Sequence, residues 1–479
     1  MDDALFNIKL NKSADMPLYQ QLAECIFELW ESGELESGTK LPPIRKFAEH
    51  LRINNVTVVN AYKHLENRKV LYSHVGRGTF AAAKPSSMNY SQNRHRVDVR
   101  HASFDLKSAI NFAANTLNED LFPTQAFKEA FNHALDRDLG MAFSHTGAQG
   151  YLPLREAICN YICKNGIKSN LNDIQIISST RQGIDIISRA MLSTGDAVIV
   201  EKPASHSVMS ALHSCGALIT PVDMHDDGMD MDMLEEQLRL RRPKLIYIMS
   251  YFQIPTCYSY SPAKKKKLLS LASKYDAYII EEDNRSDFVY DENEAISVKS
   301  LDCERRVIYI KSFSQTILPG IRIGFMTVPD KIMSRIRSFE YGTDTDAASF
   351  MQRAFERFLS SGDYHKHVED MRQLIKGRYE TAIRAIYGKL TPYVECVPPA
   401  GGFNVWLKLK DEKISVEALA QRLVKENIVI TPGALYDMES KDIPYFRLGL
   451  AGVDESAIEL GIEKIGACLE DMRCNGRRS

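Results

Sequence analysis

The chain has 479 residues, of which 44% are hydrophobic, 25% charged and 9% aromatic, and its formal net charge is -2. Single cores stop growing near ~250–300 residues, so two or three domains are expected, and a near-neutral charge excludes a whole-molecule polycation and leaves any nucleic-acid contact to a local patch. No apolar run approaches the ~20 residues of a membrane span, and the N-terminal MDDALFNIKLNKS lacks the apolar stretch of a secretion signal, so neither class is expected.

Residues 14–83 form a unit with its own punctuation. In PLYQQLAECIFELWESG the spacing puts Leu18, Leu22, Ile26, Leu29 and Trp30 on one helical face, and Gly33 ends the helix. IRKFAEHLRI predicts a second short helix and VTVVNAYKHLENRK a third, followed by two short strands, VLYSHVGRGTFAA, around Gly76 and Gly78. Three helices and a glycine-tipped hairpin, in that order, predict a winged helix-turn-helix. Residues 84–107 lack hydrophobic periodicity and read as a linker.

From residue 108 to about 470 the rhythm changes. AVIVE, ALITPVD, LIYIMS, AYIIEED, VIYIKSF and IGFMTV are short apolar runs, and helical patterns separate several of them. Such runs predict strands buried on both faces of a mostly parallel sheet, hence an α/β domain. The large lobe should span about 108–360. GGFNVWLKL and YFRLGLA mark a smaller α+β lobe over about 361–470. The nine cysteines are scattered, which favours free thiols in a reducing compartment and a cytoplasmic protein. Cys159 and Cys163 stand four apart on a predicted helix with no further ligand nearby, so core packing is expected there and no metal site.

PLYQQL, GTKLPPIRKFAEHL, TVVNAYKHLE and GRGTF together resemble the GntR family of winged-helix regulators. The resemblance implies that Arg45 faces the DNA backbone or a base, that Thr57 caps the recognition helix or touches phosphate, and that Arg77 reaches from the wing. Asn54 and Asn55 replace the Ser-Arg usual in that family, and Asn60 stands where arginine is common. Asparagine suits adenine rather than guanine, so an A·T-leaning site and weaker electrostatic binding are expected.

Downstream, GYLPLREAICNYI, SSTRQGID, EKP, FQIPT, IIEEDNRSDF, KSFSQTILPGIRIGF, VITPGALY and FRLGLA resemble the fold-type-I aminotransferases, which bind pyridoxal phosphate (PLP). The combination is similar to the MocR-type subfamily of GntR regulators. The resemblance implies a Schiff-base lysine at the end of a strand, but the aligned position is Gln315, an amide that cannot form an imine. Lys311 lies four residues upstream, ~13 Å along an extended strand, too far to substitute. Glu282 takes the place of the aspartate beside the pyridine nitrogen, and Asn284 that of the tyrosine beside its hydroxyl. Ser179, with Thr180 and Arg181 following, replaces a phosphate-loop glycine; Cys257 replaces another glycine, and Ser205 an aromatic. Ser312 and Arg322 keep the phosphate-binding pattern, and Arg447 aligns with the arginine that clamps a substrate carboxylate.

These residues predict a homodimeric, DNA-binding transcription regulator that reads two half-sites of double-stranded DNA and is not an enzyme. Its second domain is expected to hold no covalent cofactor. It would sense noncovalent PLP or another phosphorylated or anionic ligand, bound by Ser312 and Arg322 at one end and Arg447 at the other. Two alternatives stand beside it: a PLP-dependent aminotransferase with an accessory DNA-binding domain, and a ligand-free dimeric repressor in which Glu281, Glu282 and Asp283 pair the arginines.

Overall fold

The apolar runs of the second half become a sheet whose central strands are buried on both faces, as helix-covered parallel strands require. In the computed structural model, the described residues are 17–32, 39–67, 70–74, 78–81, 109–290, 296–340, 348–438 and 442–475, with Leu5, Ile8, Leu10 and Leu35 besides. The chain divides into two units, Met1–Arg94 and His95–Ser479. The expected linker, 84–107, and the wing-tip Gly76 and Arg77 lie outside the described residues.

In the first unit, three helices, α1 (Leu18–Ser32), α2 (Ile44–Leu51) and α3 (Asn55–Asn67), precede strands β1 (Leu71–His74) and β2 (Gly78–Ala81). The strands pair antiparallel. Leu22 and Ile26 are fully buried in a core shared with Phe47, Val58, Ala61 and Leu65, while Leu29 and Trp30 pack at its edge. Arg52, in the left-handed region at φ 52°, ends α2 by returning its amide to Ala48 and Glu49. Asn54 then starts α3: its side-chain oxygen accepts the Val56 amide at 2.9 Å. The expected cap at Thr57 is therefore corrected, because the residue just outside the helix already satisfies the free amide.

In the second unit, β3 (Ile110–Asn111) leads into β4 (Ile174–Ile177), β5 (Ala197–Lys202), β6 (Leu218–His225), β7 (Gly228–Met229), β8 (Leu245–Ile248), β9 (Tyr278–Glu282), β10 (Val307–Ser312) and β11 (Gly324–Thr327). The eight-stranded sheet has the order β4-β11-β10-β9-β8-β5-β6-β7. Neighbours are parallel from β10 through β6, while β11 runs antiparallel between β10 and β4. This mostly parallel α/β sheet, and the three helices and hairpin of the first unit, have the architecture expected of them.

The smaller lobe holds β12 (Val394–Cys396), β13 (Asn404–Leu409), β14 (Ile428–Val429), β15 (Thr431–Pro432) and β16 (Tyr445–Gly449). β12, β13, β16 and β15 form an antiparallel sheet whose apolar face packs on the helices Val416–Lys425 and Glu455–Asn475. Β14 pairs instead with β3, so the chain ahead of the large sheet is tied into the small lobe.

Candidate functional site

In open α/β sheets, ligand groups converge beyond the carboxyl ends of the parallel strands. Glu282 closes β9, Ser312 closes β10, and Thr180 begins the helix Thr180–Met191 that follows β4. The fold therefore brings these three expected residues to one end of the sheet.

Glu282 is buried, and its carboxylate accepts from the Tyr247 hydroxyl at 2.6 Å, from the Asn284 amide and from Thr180. Burial pushes its pKa up, and the Tyr247, Thr180 and Asn284 donors and the charge of Arg285 pull against that shift. The Asn284 oxygen in turn accepts the Ser312 amide at 3.1 Å. Glu282, Asn284, Thr180 and Ser312 thus form a closed protein network.

The two neighbouring acids turn elsewhere. Glu281 accepts from the Ser250 hydroxyl and from the amides of Val298 and Lys299 at 2.8 and 2.7 Å. Asp283 accepts from Ser286 and Tyr309 and lies 3.7 Å from Lys311. Burial raises the Asp283 carboxyl, but Lys311 and the two hydroxyls outweigh it and hold it low. None of the three acids forms an ion pair with Arg322 or Arg447 among the described residues, unlike the pairing in the ligand-free alternative.

Lys311 is fully buried, 3.1 Å from Asp287 as well as near Asp283. Burial works against its charge, yet Asp283 and Asp287 raise its pKa. It is a structural cation locked between two acids. Gln315 lies three residues beyond β10, and its side-chain oxygen is buried with no hydrogen-bond partner.

At the serine corner, Ser179 caps the helix Thr180–Met191 by accepting the Gln182 amide at 3.2 Å, and Ser312 Oγ accepts the Ser314 amide at 3.3 Å. Arg322 is exposed, at φ 53°, with a donor 3.4 Å from Ser178 Oγ. Arg181 is also exposed. An exposed guanidinium is solvated, so Arg322 needs no protein counter-charge. Cys257 adopts φ 60°, a left-handed conformation suited to glycine, and it carries a strain of order 1–2 kcal/mol there. Ser205 makes a 2.9 Å contact with Ser207.

Arg447 is 1% exposed. One terminal nitrogen donates to the Ala113 carbonyl at 2.6 Å and to Thr431 at 3.0 Å, while Nε and Nη1 have no partner. Arg285, 0% exposed, is a second buried guanidinium that sequence reasoning missed. Its only signal was a basic residue inside the acidic run EEDNRSDF. The Cys159–Cys163 pair also departs from expectation, because Cys163 is exposed. That pair lines a cleft with Asp173 and Thr327, at the opposite end of the sheet from Glu282 and Ser312.

In the first unit Arg45, Asn54, Asn55 and Asn60 are exposed and Thr57 is half-buried, while Val58, Ala61 and Leu65 turn the other side of α3 into the core. Among the described residues, the outward side of α3 carries the exposed Asn55, Val56 and Asn60. Arg77 lies outside the described residues.

Residues 107–465 match the family described as aminotransferase class I and II, and residues 18–81 match the gntR family of bacterial regulatory proteins. The uncharacterized HTH-type transcriptional regulator YdfD of Bacillus subtilis is 28% identical, covering 96% of this chain and 98% of that protein. A protein described as a probable rhizopine catabolism regulatory protein, MocR, of Rhizobium meliloti is 23% identical over 98% of this chain and 97% of its own length. Among solved structures, the kynurenine aminotransferase of Pyrococcus horikoshii superposes with a TM-score of 0.73 at 27% identity, over 77% of this chain and 92% of that one. A multiple-substrate aminotransferase of Thermococcus profundus gives 0.75 at 25% identity, over 81% and 97%.

Proposed function

The chain belongs to the aminotransferase class I and II family and carries a GntR-type helix-turn-helix at its N-terminus, and on that premise we propose that it is a DNA-binding transcription regulator whose larger domain has exchanged catalysis for ligand sensing. The observation that carries the loss of catalysis is the state of the lysine and amide at the end of β10. Lys311 is buried between Asp283 and Asp287, and Gln315 supplies an amide where the family resemblance calls for an imine-forming amine.

The residues do not fit PLP held as an imine, and no chemical step is assigned to it. Glu282 has its carboxylate taken up by Tyr247, Asn284 and Thr180. What remains is an anion-binding surface with two poles. Ser312, Ser178 and Arg322 lie at one, where PLP bound noncovalently or another phosphorylated molecule fits, and Arg447 lies at the other. A ligand-free scaffold leaves buried guanidinium nitrogens uncompensated, at a cost of several kcal/mol for an unpaired buried charge, so the liganded reading is preferred.

A homodimer is part of the same reading. Leu139, Met141 and Phe143 are 71%, 69% and 66% exposed along one short segment, and Phe350 lies 5.0 Å from the Phe143 ring. An apolar strip of this kind marks a protein contact surface, and a two-fold dimer presents two copies of α3 to two half-sites.

The test is the absorbance of purified protein with added PLP, followed by borohydride reduction and peptide mapping. Wild type is expected to give no covalent adduct at any lysine, and Gln315→Lys is expected to gain one. An adduct at Lys311 or elsewhere in the wild-type pocket restores the enzyme reading.

A further inference from the structure

Cys159 and Cys163 stand about one turn apart on the helix Leu152–Lys164 and line a cleft of about 430 Å³ at the end of the sheet where β4 begins and β11 ends. That volume suits a small molecule. Lys168, Asp173, Lys299 and Arg305 line the same cleft, with Thr327 from the end of β11.

The charges of the cleft are paired except at one place. Arg305 lies 2.7 Å from Asp173 and also binds Asp330. Lys299 donates to the Val307 carbonyl at 2.6 Å and lies 3.5 Å from Asp302, whose oxygens also accept the amides of Arg306 and Val307. Lys168 is exposed and has no ion pair among the described residues. Thr327 is 1% exposed, and its hydroxyl is buried without a hydrogen-bond partner. Buried hydroxyls are normally partnered, so this one marks a place that a bound group completes.

The two thiols differ. Cys159 is half-buried and donates to the Ser169 carbonyl at 3.3 Å; burial, with Cys163 close by, raises its pKa, so it keeps its proton. Cys163 is exposed, and it is the sulfur that a reagent in the cleft reaches.

We propose that the cleft is a modification site, in which Cys163 exchanges with the disulfide of a small carboxylate-bearing thiol and retains half of it, with the carboxylate on Lys168 and the Thr327 hydroxyl gaining a partner. The Cys163 thiolate attacks one sulfur of the reagent. A new S–S bond forms as the reagent's own breaks, and the departing thiolate takes up the proton that Cys163 released. One disulfide is consumed and one is formed, so the reagent is itself the oxidant. Cys159, holding its proton, does not resolve the adduct, and the mixed disulfide persists. The site lies at the opposite end of the sheet from the anion-binding surface proposed above and does not depend on it.

The experiment incubates the full chain with dithiodiglycolate, a dianionic disulfide, or with the neutral bis(hydroxyethyl) disulfide. Acid quenching and peptide mapping by mass spectrometry then locate the modified cysteines. Cys303 and Cys474, exposed but not lining the cleft, are the internal references. Relative to them, Cys163 is expected to react about five-fold faster with the dianion than with the neutral reagent, the scale of one exposed ionic contact. That gain should vanish at about 1 M salt, where the screening length is only about 3 Å. Lys168→Gln should remove it while leaving the neutral reagent within about two-fold. Thr327→Val, which deletes the unpartnered hydroxyl at nearly constant shape, should leave Tm unchanged or higher; a clear fall would make that hydroxyl structural and overturn the site. Equal relative rates for the two reagents, or a gain that survives Lys168→Gln, overturns the proposal. A Cys159–Cys163 disulfide in place of the adduct overturns it too, because the cleft would then hold no half-reagent.

Discussion

Glu201 shows at the scale of one residue how this domain handles charge. It is 0% exposed at the end of β5, accepting from the Met249 amide at 3.0 Å and the Tyr260 hydroxyl at 2.8 Å. Burial pushes its pKa from 4.5 up to about 8, with those donors opposing the shift. A carboxyl that holds its proton more tightly when folded contributes stability fully present below its unfolded pKa, and that contribution is lost as pH rises toward the folded value. Stability should therefore decline between about pH 4.5 and 8 by an amount of order 3–5 kcal/mol from this group. In Glu201→Gln, equilibrium unfolding in denaturant across that range should show a flatter pH profile than wild type. An unchanged slope would mean that Glu201 is ionised in the folded protein.

At the scale of the element, α3 combines two tasks. Its inner face, Val58, Ala61 and Leu65, anchors it in the first unit's core, which leaves Asn55 and Asn60 outward. Asn54 is committed to starting the helix, so Asn54→Ala should lower stability by about 1 kcal/mol through loss of the cap. Thermal melts of the isolated N-terminal domain read that loss directly, and an unchanged Tm would deny the cap. Arg45 is exposed on α2, and the proposed regulator would set it against the DNA backbone. Arg45→Ala should weaken binding to all sequences alike and reduce the salt slope by about one unit, and Arg77→Ala should do the same. Asn55→Ala and Asn60→Ala should instead relax sequence preference at one position each. Fluorescence anisotropy across salt concentrations and base-substituted sites distinguishes the two patterns, and arginine variants with unchanged slopes would misplace the DNA face.

At the scale of the whole molecule, the proposed homodimer rests on the exposed strip Leu139, Met141 and Phe143. Light scattering at micromolar concentration should give twice the mass of one chain. Phe143→Glu, which places a charge beside Phe350, should shift the equilibrium toward monomer and lower DNA affinity more than it lowers the melting temperature. A wild-type monomer would remove the two-half-site reading.

What the sequence by itself determined was local or periodic. The 3.6-residue spacing of Leu22 and Ile26 and the apolar runs of β5, β8, β9 and β10 carry their secondary structure within a few residues, so domain order and fold class were legible. The motif order carried the family resemblance, and the reading of Gln315 in the lysine's place rests on that order. The tertiary structure decided which charges are dry. Arg322 and Arg447 look equivalent as letters, yet the first is exposed and the second is buried on a strand of the small-lobe sheet. Arg285 was invisible for the same reason: its partner Asn404 stands 119 residues away, and only the docking of β13 beyond the end of β9 brings them within 2.6 Å. Burial, and with it the cost of an unpaired charge, belongs to packing between distant segments, which no local pattern encodes.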